Sequence, residues 1–431
     1  MKVRYRYTLI ALGIATFLIL APSLLLYVQG KRWTTKPTQS PKTGIISIET
    51  EPNNATVFVN STEELTTPGA VRFLPTGRYD TRITKEGYKT WEKTLSVIAG
   101  RVTHANPNPA KLALVKDTQP QTIATNVTHA ASSDEHIAYT TTGKKLVITD
   151  RTGSTAESTT LPAEATTLQT GAQKNQFIVT GPAYAWVVAP NTAPIQLPAN
   201  FSEGTTFPTV DAVVHLTPTG DLLYTTLAQP NNVKILARKV KGFTLHSSDV
   251  YYLAAKETQQ DKPQQLLLIH GTLKEGAVIG MQEFSTNLND TESSVFLDEG
   301  KSVYILQANT LYRLAENAKQ IATGVTSAST TSGNLTYTTP SEFWSYSSTS
   351  DSSSLISRSS QPFSTYLIAP NKQYVLAAPD KELVALEINA EFGQNRYTLD
   401  TATDKLSPIA FMQNTHALYL SGTTLKLIEL F

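Results

Sequence analysis

Cysteine is absent from the 431 residues, and that single gap removes disulfides, thiolate metal sites and cysteine nucleophiles together. Charge is scarce as well: Asp, Glu, Lys and Arg make up 16% of the chain, with 36 bases against 35 acids. So even a balance leaves no global field to draw in a polyanion, and nucleic acid is not expected among the partners. The seven histidines, His104, His129, His136, His215, His246, His270 and His416, are scattered singly, without HExxH or any paired ligand spacing, so no metal site is expected. Gly300-Lys301-Ser302 ends like a phosphate loop, but Val295 stands where the first glycine belongs. No G-x-S-x-G elbow occurs. Asn287 to Glu292 spaces its oxygens like a calcium loop without the central glycine. Asp134-Glu135 and Asp298-Glu299 read as solvated turn residues before strands. The sequence therefore nominates no catalytic residue, cofactor or metal ligand, and no enzyme is expected.

One long apolar run is present. Tyr7 to Val28, YTLIALGIATFLILAPSLLLYV, carries no charge over about 22 positions, enough to cross roughly 30 Å of hydrocarbon as a helix. Lys2, Arg4 and Arg6 precede it and Lys31 and Arg32 follow, which favours a cytoplasmic N-terminus; Tyr5, Tyr7, Tyr27 and Trp33 flank both ends at headgroup level. The run is longer than the apolar region of a cleaved signal peptide, the alternative reading. The expectation is a single-pass cell-membrane protein that meets the lipid bilayer through residues 7–28 and has its C-terminal domains extracytoplasmic. Residues 1–33 form the cytoplasmic tip and anchor, and 34–43, TTKPTQSPKT, an extended linker.

Abundant Thr and Ser, with few charges, suit β-sheet surfaces and predict a mainly β chain. From 44 to 114 apolar residues alternate in short runs, Ile46 and Ile48, Val57 and Val59, Ile83, Leu95 and Val97, broken by Pro, Gly and Asn. That pattern predicts a small antiparallel sandwich. The elements Pro52-Asn53-Asn54-Ala55, Thr67-Pro68, Leu74-Pro-Thr-Gly77-Arg-Tyr79 and Glu86-Gly87-Tyr88 together resemble the PEGA domain. The name-giving turn differs at two of its four positions, yet Asn54 is the next best residue to glycine for a left-handed turn. Pro52, Asn54, Ala55, Pro68, Gly77, Tyr79, Gly87 and Tyr88 are thus motif residues of structural kind. The resemblance implies a bacterial surface or envelope setting and no catalysis.

The remainder, 115–431, is internally repetitive. Gln121 to Thr141 and Lys319 to Thr339 match without a gap at Ile, Ala, Thr, Val, Thr, Ala, Tyr, Thr and Thr, about five periods of roughly 40 apart. Weaker units begin at DEHIAYTT, KNQFIVTG, TGDLLYTT, SSDVYYLA, EGKSVYIL, SGNLTYTT, NKQYVLAA and NTHALYLS. Each has room for four strands, which predicts a seven- or eight-bladed β-propeller, with two β sandwiches as the alternative. Ser132 to Tyr139 and Thr217 to Tyr224 loosely resemble the turn and strand of WD40-like and TolB-like propeller repeats. The last unit ends after its third strand, and strand-like runs at 112–115 and 121–124 offer a segment to close the ring. Ser345 to Ser364, rich in serine, reads as a mobile loop.

These readings converge on an anchored envelope protein that binds or scaffolds, its partner an envelope protein or polysaccharide. The alternative is a propeller-type glycan hydrolase or lyase with acids gathered at the ring axis. A signalling role has too little chain ahead of the helix for an output domain.

Overall fold

The computed structural model describes residues 12–23 and 43–431, except for 107–110, 174, 202–204, 256–264, 290–292, 298–301, 315–317, 332–333, 361, 380 and 390–392. Residues 12–23 form a helix. Among the described residues no helix is long and apolar enough to cross a membrane. The rest of the expected 7–28 span, and all of the expected linker but Thr43, lie outside the described residues.

The body divides into two units. The first comprises the chain to Thr118 together with Glu387–Tyr397 and Leu430–Phe431; the second comprises Gln119–Leu386 and Thr398–Glu429. Residues 115–118 are tied to the first unit: Lys89 N donates to Val115 O, Asp117 N to Gly87 O, and Tyr88 bridges Lys116.

In the first unit, a three-stranded sheet orders Gly69–Pro75, Thr43–Ile48 and Val102–His104, and a four-stranded sheet orders Thr62–Thr66, Thr56–Val59, Gly77–Thr84 and Trp91–Val97. Alternation decides which face is buried. Along Trp91–Val97, residues 91, 93, 95 and 97 are buried while Glu92 is exposed. Ile46, Ile48, Val57, Val59, Ile83, Trp91, Leu95 and Val97 form one core. The expected purely antiparallel sandwich is corrected here: Thr43–Ile48 pairs in parallel with Val102–His104, and Thr50–Glu51 in parallel with Leu112–Ala113. Parallel neighbours need a long crossover, and the whole four-stranded sheet lies between them in sequence.

The second unit contains eight four-stranded sheets among the described residues. They are blades 1 to 8, spanning 127–160, 167–197, 205–237, 240–289, 293–323, 327–358, 363–401 and 406–429, except that Glu387–Tyr397 within the blade 7 span belongs to the first unit. Blade 8 supplies three strands of its own, and Gln121–Ala124 pairs antiparallel with Thr424–Glu429 as its fourth. The chain thus closes its ring with residues that precede the first blade, and the first strand of blade 1 meets that of blade 8. Of the two runs offered for closure, 121–124 does this and 112–113 serves the first unit.

The sequence units fall on the second and third strands of blades 1, 2 and 4 to 8. The third is one strand late, since blade 3 pairs Ala212–Leu216 with Leu222–Thr226 and has Gln229–Ala237 outermost. The serine-rich segment is corrected from loop to sheet. Glu342–Ser347 and Ser352–Arg358 are the outer hairpin of blade 6, and Phe363–Ile368 opens blade 7. An outermost strand has one neighbour and much solvent, so serine costs it little.

Candidate functional site

Strand direction alternates within each blade, so the turns after the first and third strands emerge at one end of the ring. That end is laced by side chains across four neighbouring blades. Arg151, in blade 1, donates to Gln413 Oε1 of blade 8 at 2.6 Å. Ser133 donates to Asn175 Oδ1 at 2.8 Å, while Asn175 Nδ2 reaches Glu135 Oε2 at 3.0 Å, joining blades 1 and 2. Gln173 Nε2 donates to Val210 O at 2.5 Å, joining blades 2 and 3. Amide and hydroxyl groups held this way make a preorganised polar face, suited to recognition.

The axis has a different chemistry. First strands contact one another between blades 1 and 2, 4 and 5, 5 and 6, 7 and 8, and 8 and 1, which places the first strands innermost. They read VTHAAS, TLQT, TTFP, VKGFTLH, SSVFL, SASTT, FSTYLI and LSPIAFM, without one Asp or Glu. Threonine hydroxyls link first to second strands, Thr128 with Thr140 at 2.8 Å and Thr167 with Thr180 at 2.7 Å, and Thr326, just ahead of the first strand of blade 6, meets Thr338 at 2.9 Å. Burial holds the His129 imidazole below its usual value, and thus neutral to lower pH. Burial also pushes the Tyr366 phenol up to about 12.

Two acids between blades are held low by the hydrogen bonds they accept. Burial alone would raise Asp400, but hydrogen bonds from Lys426 and Tyr419, at 2.8 and 2.7 Å to Oδ2, outweigh it. Asp351 is lowered by Lys319, which pairs with it, and by the Tyr346 hydroxyl. Both groups are cross-blade ties of tyrosine, carboxylate and base. On the surface, Thr152 and the backbone N–H groups after Asp150 lower that carboxylate. No group of three or more His, Asp or Glu able to hold a metal occurs among the described residues.

In the first unit the motif residues act through the backbone. Asn54 has φ of 61°, the left-handed value its identity predicts, and Gly87 has φ of 77°. The bonds before Pro52 and Pro68 are cis. Ala55 is fully buried. Gly77 opens its strand, Tyr79 donates to Pro75 O at 2.9 Å, and Tyr88 packs on the core. Thr67, quoted with Pro68 in the motif, joins the turn together: its hydroxyl meets Thr50 Oγ1 at 2.6 Å and accepts from Ala55 N at 3.0 Å.

Sequence reasoning also missed a buried ion pair. Lys93 Nζ lies 3.0 Å from Glu387 Oε1, with the side chains 1% and 4% exposed. Lys93 also donates to Asn389 O at 2.6 Å, Asn395 Nδ2 to Glu387 Oε2 at 2.8 Å, and Trp91 Nε1 to Glu387 Oε1 at 3.4 Å. The available signal was a lysine in the buried phase of Trp91–Val97. Beside it, Ser61, Asp80, Thr81, Arg82, Glu92, Lys93 and Thr94 line a cavity of about 410 Å³.

An eight-bladed ring closed by its own leading strand, preceded by a small three-sheet β unit, is a β-propeller joined to a PEGA-like module. Comparison with known proteins agrees: residues 43–110 match the PEGA domain. The computationally designed Ika8 protein is similar with TM-score 0.54 and 11% identity, covering 71% of this chain and 96% of its own. The Dos1 propeller is similar with TM-score 0.52 and 11% identity, covering 73% and 95%. At such identity the likeness speaks to fold. No curated protein sequence matches the chain.

Proposed function

We propose that this chain is a membrane-anchored, extracytoplasmic binding or scaffolding protein of the bacterial envelope, whose propeller presents its laced loop face to an envelope protein or polysaccharide. The observation that carries the binding reading is the contrast between that face and the axis. Recognition groups are fixed in place at one end, while the eight innermost strands bring no carboxylate to the centre, where glycan cleavage needs a pair of them. The helix at 12–23 supports anchoring: Leu12, Ile14, Phe17, Leu18, Ile19 and Leu20 all stand more than half exposed. A helix apolar all round needs an apolar surrounding. The matched PEGA module supports the envelope setting.

The test is the full chain reconstituted in lipid nanodiscs, challenged with isolated envelope polysaccharide and with envelope proteins. Saturable retention that falls in an Arg151→Glu/Glu135→Lys variant is expected. Retention no better than by empty nanodiscs overturns the binding reading, and release of the chain from membranes by alkaline carbonate overturns the anchor.

A further inference from the structure

On the ring, the exposed large apolar side chains among the described residues are Val210, Ile235, Ile279, Met281 and Phe284. Val210 sits in a turn. The other four lie on the outermost strands of two neighbouring blades, Ile235 on Gln229–Ala237 of blade 3 and the rest on Ala277–Asn289 of blade 4, each 42% to 60% exposed. The two strands meet: Lys234 Nζ donates to Glu275 O at 2.6 Å, and a Cβ added to Gly276 would strike Lys234 Cδ and the Tyr224 ring. The turn of blade 4 is therefore seated against blade 3. Outer strands elsewhere, such as TAESTT, AKQIAT and RYTLDT, expose no large apolar group.

The same strip concentrates positive charge. Lys234, Arg238, Lys239 and Lys274 stand against Glu275 and Glu283, a local surplus in a chain whose net charge is +1. Lys234, Arg238, Lys239 and Lys274 are exposed. Apolar side chains projecting between cations match a lipid headgroup layer, where apolar groups enter the acyl boundary and cations meet phosphate. Pairing with another strand fits less well. Gly280 has φ of 66°, and the register shifts between His270 and Thr272, so Ala277–Asn289 presents an interrupted edge.

We propose that the rim of blades 3 and 4 docks on an anionic bilayer surface. The proposal rests on the anchored reading, which holds the ring near lipid. Since the chain has no cysteine, single-cysteine variants of the full protein can carry an environment-sensitive dye: Ile279→Cys on the rim, Ser158→Cys on the outer strand of blade 1, and Phe17→Cys in the helix. Each is reconstituted in phosphatidylcholine vesicles with or without phosphatidylglycerol and with a lipid-borne quencher. The rim dye should be quenched several-fold more than the blade 1 dye when phosphatidylglycerol is present, and each neutralised cation should weaken this roughly fivefold. Arg238→Glu/Lys274→Glu should bring it to the blade 1 level. Quenching of the helix dye with the rim dye unquenched overturns the docking proposal and leaves the anchor standing. Rim quenching without helix quenching supports docking and sinks the anchor; with neither dye quenched, both fall. Rim protection that grows with protein concentration in the absence of lipid marks a second copy as the occupant and also overturns docking.

Discussion

The two units solve the same problem with different means. The first is small, with one core of thirteen buried residues, and it includes a charged pair in its interior and a segment from far along the chain. The ring repeats one blade eight times and ties the copies with apolar layers, hydroxyl pairs and partly exposed carboxylates. Small β units have a high ratio of surface to core, so one distant segment matters greatly to them. A ring distributes its stability over many similar seams, and each is worth less.

The sharpest way to break this contrast is at Glu387. Glu387→Ala leaves Lys93 buried and unpaired, and should cost about 3–5 kcal/mol of first-unit stability. Lys93→Met/Glu387→Leu should recover most of that loss, because a matched apolar pair removes the stranded charge. Denaturant unfolding of the three variants decides it; a Glu387→Ala loss under about 1 kcal/mol would show that the pair is solvated.

Next comes the tie at blades 7 and 8. Tyr419→Phe deletes a fully buried donor to a carboxylate, worth about 1.5–3 kcal/mol. The companion change Tyr346→Phe should cost less, because Asp351 is 40% exposed. Equal losses would mean that exposure does not grade the ring seams.

Acid should act through Asp400 in a set direction. Its folded pKa lies below the ordinary 3.8, so its contribution is complete above that value and fades as pH falls through the lower folded value. Asp400→Asn should be less stable than the wild type at neutral pH, and the gap should close in acid. Unfolding midpoints taken from pH 7 downward check this, and a gap that widens in acid contradicts it.

Smaller effects belong to the repeated hydroxyls and to the surface. A double-mutant cycle on Thr128→Val and Thr140→Val should return a coupling of about 0.2–1 kcal/mol. Lys319→Ala, whose side chain is 59% exposed, should cost under about 1 kcal/mol. A larger loss at Lys319 than at Tyr419 would reverse the proposed order.

How much was legible follows from the range of each signal. The gapless match of Gln121–Thr141 with Lys319–Thr339 marks equivalent pieces: in both, an outermost strand crosses into the first two strands of the next blade. Asn126 and Gly324 share positive φ at 58° and 69°, and Val127 and Val325 are both buried. Local period and turn chemistry therefore carried the ring and its closure. The PEGA turn was legible for the same reason, since Asn54 has to be a residue that tolerates a left-handed backbone. What was hidden is long-range. Trp91 and Glu387 are 296 residues apart, and no periodicity links them. The serine-rich hairpin of blade 6 was misread because an outer strand lacks the apolar phase that announces an inner one. Which residues lace the loop face was hidden because Ser133, Asn175 and Gln173 are ordinary turn residues until neighbouring blades bring them together.

Under the proposed function the ring holds its partner and does not cut it. Incubating the nanodisc-borne full chain with envelope polysaccharide, and following bound polymer and newly formed reducing or unsaturated ends together, tests that directly. Retention of intact polymer, or of a protein partner when both are offered, is expected with ends constant over time; a steady rise in new ends above that seen with empty nanodiscs would make the ring an enzyme and overturn the binding proposal.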